Sequence, residues 1–310
     1  MNEIYDCLPF EVEQKIKGSL HEGNKINSHN LQEIRLRIGK KIEINSGQHT
    51  ILLSYCFTKE DAVHLLNRIS QYSLYTIEEE LRLGYVTIEG GHRIGLAGKV
   101  ILDSGQVKMI RNVSSFNIRI ARQVIGVAEK LVPFLFEKKW LSTIFVGPPQ
   151  SGKTTLLRDL ARVISTGSIE RNISAYKVGI VDERSEIAGC VNGVPQHQFG
   201  ERIDVLDSCP KREGMMMMIR SMSPQILIVD EIGHEKDGAA IAEAVNAGIS
   251  LAMSAHGDSL EDCMKRKSLR EIIENGAFQR IVFLNDGKTR KYSIYSYDKV
   301  FTLLKEVFLT

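Results

Sequence analysis

Residues 147 to 154 read Gly-Pro-Pro-Gln-Ser-Gly-Lys-Thr, two glycines separated by four residues and followed by Lys and Thr. Gly147 and Gly152 permit backbone turns that residues with a Cβ resist. The turned backbone through Gly147, Pro148, Pro149, Gln150, Ser151 and Gly152 points several N–H groups inward as a nest for phosphate oxygens. Lys153 is placed to reach the β- and γ-phosphates of a nucleotide, and the Thr154 hydroxyl to ligate Mg²⁺. Thr155 is a candidate for the α-phosphate. A second set of groups follows Ile226-Leu227-Ile228-Val229, where Asp230 and Glu231 come directly after four apolar β-formers. Asp230 suits a metal-holding carboxylate, and Glu231 a base that orients and deprotonates an attacking water. These residue types imply binding and hydrolysis of a magnesium–ATP complex.

Such groups cooperate only if the chain brings them to one edge. From about residue 125, short apolar runs alternate with helical stretches: 143–146, 177–181, 225–229 and 249–254. That rhythm predicts βαβ units and a mainly parallel sheet covered on both faces. The phosphate loop follows the first run and precedes a helix carrying Leu156, Leu157, Leu160, Ala161, Val163 and Ile164, so strand, loop and positive helix end stand in the needed order. The second run ends in Asp182-Glu183-Arg184-Ser185-Glu186 and the fourth in Ala255-His256-Gly257. Glu183 is a candidate to support water or metal, and equally an ordinary surface ion-pair partner. His256 is a candidate sensor of the γ-phosphate, and equally a structural histidine. A turn at Asn285-Asp286-Gly287 predicts an antiparallel hairpin at the end of the sheet.

The first third reads as mixed α and β. Ile34, Leu36 and Ile38 alternate with polar positions as a strand with one wet face. Ala62, Val63, Leu65, Leu66 and Ile69 form a helical stripe. Gly90-Gly91 predicts one hairpin, and Asp103-Ser104-Gly105 a second, separate one. The expected fold class is therefore α/β, with a smaller α+β domain over residues 1–124 and an ATPase domain over 125–310. Four consecutive methionines, Met215 to Met218, are expected to fill an irregular core gap.

Composition narrows the classes further. The 310 residues carry 40 basic and 38 acidic side chains, a net +2, which gives no signal of a polyanion partner. Lys265-Arg266-Lys267 and residues 288–291 are the nearest approach to basic patches. The five cysteines lack CxxC spacing and read as reduced thiols of the cytosol. No basic-then-apolar leader opens the chain, and no apolar run approaches the ~20 residues of a membrane span. A cytoplasmic location, with membrane contact through a partner, is expected.

Taken together, these motifs resemble the secretion-type ATPases, the hexameric motors of type II and type IV secretion and of pilus assembly. That family carries a phosphate loop, an acidic box, a metal-binding strand preceded by Arg and Pro, and a histidine box, in that order. Here the acidic box resembles Val181-Asp182-Glu183-Arg184-Ser185-Glu186. The approach to the metal-binding strand resembles Ile219-Arg220-Ser221-Met222-Ser223-Pro224-Gln225, and the histidine box Ser254-Ala255-His256-Gly257. In one departure, Asp230 precedes Glu231 where the wider family usually has Gly.

The likeness narrows to a sporulation branch through Glu33-Ile34-Arg35-Leu36-Arg37, residues 116–122, Asp204-Val205-Leu206-Asp207 with Cys209-Pro210-Lys211, and Val229-Asp230-Glu231-Ile232-Gly233. It implies a RecA-like P-loop NTPase core using ATP and Mg²⁺. It also implies a homo-oligomeric ring, such as a hexamer, and partners among the membrane proteins of a stage III sporulation channel between mother cell and forespore. By the same resemblance Arg119 is the first candidate to complete a neighbouring site, with Arg184 and Arg220 behind it. A nucleic-acid translocase and a nucleotide-gated scaffold with little turnover remain as alternatives.

Overall fold

The computed structural model describes residues 1–21, 24–73, 77–286, 291–296 and 307–309. The chain divides into two compact units, Met1–Arg122 and Gln123–Thr310.

The first unit opens with helices α1 (Asn2–Cys7) and α2 (Phe10–Ser19). Strands β1 (Glu33–Arg37), β2 (Lys41–Asn45) and β3 (Thr50–Cys56) follow. Next come α3 (Lys59–Ile69), α4 (Glu78–Leu83), β4 (Tyr85–Ile88), β5 (His92–Asp103) and β6 (Gln106–Arg119). The strands form one antiparallel sheet in the order β3-β2-β1-β6-β5-β4. Burial alternates along β1, with Ile34 and Leu36 inside, as period-two patterning demands. The buried face meets Ile4, Val12 and Ile16 of the first two helices and Ala62, Leu65 and Ile69 of α3. Val63, counted in the α3 stripe, instead faces out. A capping box starts α3: the Asp61 N–H donates to Thr58 Oγ1 at 3.1 Å, and the Thr58 N–H donates to Asp61 Oδ2 at 2.9 Å.

Both hairpins expected between residues 85 and 110 form, but they share β5 as one continuous strand. Gly90-Gly91 does turn β4 into β5, but β5 then runs on to Asp103 and pairs with β6 as one long ribbon. Gly98 lies inside this ribbon at a bulge. A Cβ there would stand 2.6 Å from the Asn112 carbonyl oxygen, so only glycine fits the close approach.

The second unit holds α5 (Val132–Leu135), β7 (Thr143–Gly147), α6 (Lys153–Thr166), β8 (Val178–Asp182), β9 (Ile203–Asp207), α7 (Lys211–Met222) and β10 (Ile226–Val229). They are followed by α8 (Asp237–Asn246), β11 (Ser250–His256), α9 (Leu260–Lys265), α10 (Lys267–Glu274), β12 (Arg280–Asp286), β13 (Lys291–Ser296) and β14 (Val307–Leu309). The sheet order is β14-β13-β12-β7-β11-β10-β8-β9, parallel from β12 through β9, with β13 and β14 antiparallel. Strands β7, β8 and β10 are buried at every position, because helices cover both faces. Phe145, Ile180 and Ile228 face α6, while Val146, Val181 and Val229 face α7, α8 and α10. Of the four methionines, Met215 and Met218 enter this core and Met217 is exposed. Met218 leans on Gly179 so closely that a Cβ there would lie 2.6 Å from its Cγ.

Strands β12 and β13 do pair antiparallel. Gly287 of the expected turn, and residues 288–290 of the basic run, lie outside the described residues. Among the described residues no helix is long and apolar enough to cross a membrane.

Candidate functional site

Because β7, β8, β10 and β11 are parallel, their C-terminal ends open on one edge, where α/β sheets bind ligands. Gly147 ends β7 beside His256 of β11, its register partner. A Cβ on Gly147 would lie 2.6 Å from Ser151 Oγ and 3.1 Å from Leu284 Cβ, so the loop closes over a position that admits only glycine. Gly152 takes the left-handed conformation, φ 93°, and starts α6. Having no side chain, it leaves the first-turn N–H groups of that helix free of a side-chain cap. Gln150 is left-handed as well, at φ 63°. The Ser151 hydroxyl is buried within the loop without a hydrogen-bond partner.

Lys153 is buried, and its ammonium donates to the carbonyls of Gly147 at 2.8 Å and Pro148 at 2.9 Å. Burial pushes its pKa down from the usual lysine range, while the nearby Asp230 and Glu231 carboxylates pull it up. The Thr154 hydroxyl donates to Asp230 Oδ2 at 2.6 Å. This bond ties the phosphate loop to the end of β10 across the intervening β11. Asp230 Oδ1 accepts the Ser254 hydroxyl and the Glu231 N–H, and Ser254 Oγ also accepts the Glu231 N–H at 2.9 Å. Glu231 stands at φ 53°, a left-handed conformation costly for a residue with a Cβ, and these bonds hold it there. Its carboxylate pairs with Arg184 at 3.0 Å.

The acidic box divides its roles. Asp182 is 2% exposed and accepts from the N–H groups of Glu186, Ile187 and Ala188 at 2.8–2.9 Å. Burial raises its pKa to about 6 against the pull of those bonds. Glu183 is exposed and pairs with Lys211 at 2.5 Å, the ion-pair alternative weighed for it. His256 is exposed at the strand end, and its backbone carbonyl accepts from Arg266. Thr155 lies half-buried in the first turn of α6. Arg119 lies in the other unit, exposed at the end of β6 between register partners Glu33 and Arg93. Arg220 is exposed in the last turn of α7.

Two site residues escape a reading of motifs alone. Ser254 is fully buried and joins Asp230 to the Glu231 backbone. A hydroxyl at the end of an apolar strand was the available signal. Arg158, one turn into α6, donates to the carbonyls of Ile187 at 2.7 Å and Glu186. A cation that close to Lys153 on a buried helix was the clue.

A phosphate loop at the C-terminal edge of a parallel sheet, with an acidic strand end against it, defines a P-loop fold, and solved secretion ATPases share it. The ATPase DotB of Legionella pneumophila superposes with a TM-score of 0.56 at 12% identity, covering 88% of this chain and 78% of that one. The pilus retraction motor PilT, solved with ADP, gives 0.56 at 13% identity over 87% and 80%. Within that class, residues 2–301 match the family model "Sporulation stage III, protein AA", and the chain belongs to that family. The stage III sporulation protein AA of Bacillus subtilis (strain 168) is 54% identical over 299 residues, 96% of this chain and 95% of that protein.

Proposed function

We propose that the chain binds Mg²⁺–ATP at the β7–α6 loop and hydrolyses it to ADP and phosphate. The observation that carries this reading is the 2.6 Å bond between Thr154 Oγ1 and Asp230 Oδ2. It brings together two hard oxygen donors beside a buried ammonium, the donor chemistry that Mg²⁺ takes from a protein when phosphates supply other ligands. Thr154 and Asp230 would hold the ion, and bound Mg²⁺ would neutralise phosphate charge. Gly147 to Thr155 cradle the triphosphate through backbone N–H groups, with Lys153 as the buried cation. Glu231 takes a proton from water as the water oxygen bonds to the terminal phosphorus and the bridging P–O bond breaks toward ADP. Catalysis on this account is mainly positioning and charge stabilisation. Glu183 and His256 are supporting groups at the same edge, and Arg119 is offered as the arginine a neighbouring subunit supplies in a ring.

The family name supports a place in sporulation, and the secretion-ATPase fold supports a motor. We therefore assign the chain to the cytoplasmic face of a membrane, energising a channel built from other stage III proteins. A nucleic-acid translocase draws no specific support from the basic run 265–267, where Arg266 pairs with Asp262 and bonds the His256 carbonyl. The test is phosphate release from purified protein with Mg²⁺–ATP, alone and with its membrane partners. Release that Lys153→Ala abolishes supports the reading. No nucleotide binding by the wild type removes it.

A further inference from the structure

Arg184 and Glu231 come from different strand ends, yet each offers the other its charged tip. The backbones beneath both tips are pinned. On the Arg184 side, Asp182 accepts three N–H groups from residues 186–188, and Arg158 donates to two carbonyls of the same turn. Ser185, left-handed at φ 53°, donates to Asp207 Oδ1 at 2.6 Å, while Glu183 is tied to Lys211. Arg184 itself reaches Glu231, and its side chain is 61% exposed. On the other side, Ser254 and Asp230 fix the Glu231 backbone, leaving a side chain that is 47% exposed. Two hydrogen-bonded backbones thus carry two exposed side chains, with a contact of 3.0 Å between them.

A carboxylate oxygen that holds a guanidinium hydrogen at 3.0 Å is occupied and cannot at the same time hold a water there. An exposed ion pair is also easily exchanged, because its net stabilisation is small. Guanidinium binds phosphate in a two-pronged geometry at least as well as it binds carboxylate. We propose that Arg184 is a latch on Glu231: it occupies the base in most nucleotide-bound molecules, and the terminal phosphate competes for the guanidinium. The inference rests on the hydrolase reading of this site and adds its regulation. Arg184 then restrains basal turnover, the opposite of what a group stabilising the transition state would do.

The sign of the effect decides. With Mg²⁺–ATP and no partner, Arg184→Ala is expected to raise kcat about fivefold, the scale an exposed pair can supply, with KM changed less than about twofold. Arg184→Lys, which keeps the charge but loses the fork, is expected to fall between the two. A kcat for Arg184→Ala equal to or below wild type overturns the latch. Binding of a fluorescent ATP analogue with Mg²⁺ separates the two layers. If wild type and Arg184→Ala bind it alike and no rate gain appears, the latch alone is wrong. If wild type does not bind it, the hydrolase reading fails and the latch with it. Thermal melting of each variant close to wild type is expected, since the pair is exposed, and Arg184→Lys supplies the comparison should Arg184→Ala not fold.

Discussion

The two units bury polar groups for different ends. Among its described residues the first buries Ser46, Asp61, Ser70 and His92 as polar or charged groups, and they bond to nearby backbone, to the α3 cap, to the Tyr55 hydroxyl and to the Ala121 N–H. The second buries Lys153, Asp159, Asp182, Ser151 and Ser254 among others. Apart from Asp159, which accepts from the Ala128 N–H and the Arg162 guanidinium, those residues lie at one sheet edge. Strand direction explains the contrast. In an antiparallel sheet, successive strand ends point opposite ways, so polar termini are shared between two edges. In a parallel sheet every C-terminal end reaches the same edge, and loops there can assemble a site. Desolvated charge is costly, so its concentration in one unit marks where chemistry is carried out.

The contrast can be broken most severely through the cores. Phe116, packed edge-on against Phe57 at 6.0 Å between ring centroids, anchors the first unit. Phe116→Ala is expected to cost about 3–5 kcal/mol of that unit's stability, measured by hydrogen exchange across its strands. An unchanged exchange pattern would contradict the packing described.

Acid and base should act oppositely on the two units. His92 is buried and accepts the Ala121 N–H on Nδ1 at 2.9 Å, and burial pushes its pKa down to about 4. Its contribution is complete above about pH 6.5 and is lost as pH falls through about 4. Asp182 has the reverse sign. With its pKa raised to about 6, its contribution is complete below about pH 4 and is lost as pH rises through about 6. Each is worth about 3 kcal/mol by the usual ~1.4 kcal/mol per pKa unit. Urea unfolding between pH 4 and 7 of wild type, His92→Gln and Asp182→Asn should give difference curves of opposite slope. Curves of equal sign would remove this part of the comparison.

Lys153→Ala should lower affinity for Mg²⁺–ATP on the order of 100-fold, since charge-assisted bonds to phosphate contribute about 1.5–3 kcal/mol each. Titration calorimetry reads this directly. The smallest effect belongs to Thr58→Ala in the first unit, which loses the α3 capping box and about 1 kcal/mol, with no change in nucleotide affinity.

What could be read from the chain follows the same division. The runs at 143–146, 177–181, 225–229 and 249–254 are continuous and apolar because both faces are covered, and the structure has strands at each. Strand β9 went unread because it is half-buried along its length at the sheet edge, and Asp204 and Asp207 interrupt its apolar residues. Both hairpins of the first unit are legible in their turn residues, whereas the continuity of β5 through Gly98 depends on the Asn112 backbone facing it. Within the site, the loop 147–154 is contiguous and so legible. The Arg184–Glu231 pair and the Ser254 bridge join residues far apart in sequence, and no local pattern encodes them.

The central claim is that Glu231 activates water at a site built from Gly147 to Thr155 and Asp230. It is tested most directly by the nucleotide recovered from Glu231→Gln after incubation with Mg²⁺–ATP, analysed beside wild type. The account predicts intact ATP retained on the variant and ADP with free phosphate from wild type. Turnover by Glu231→Gln at the wild-type rate would contradict it.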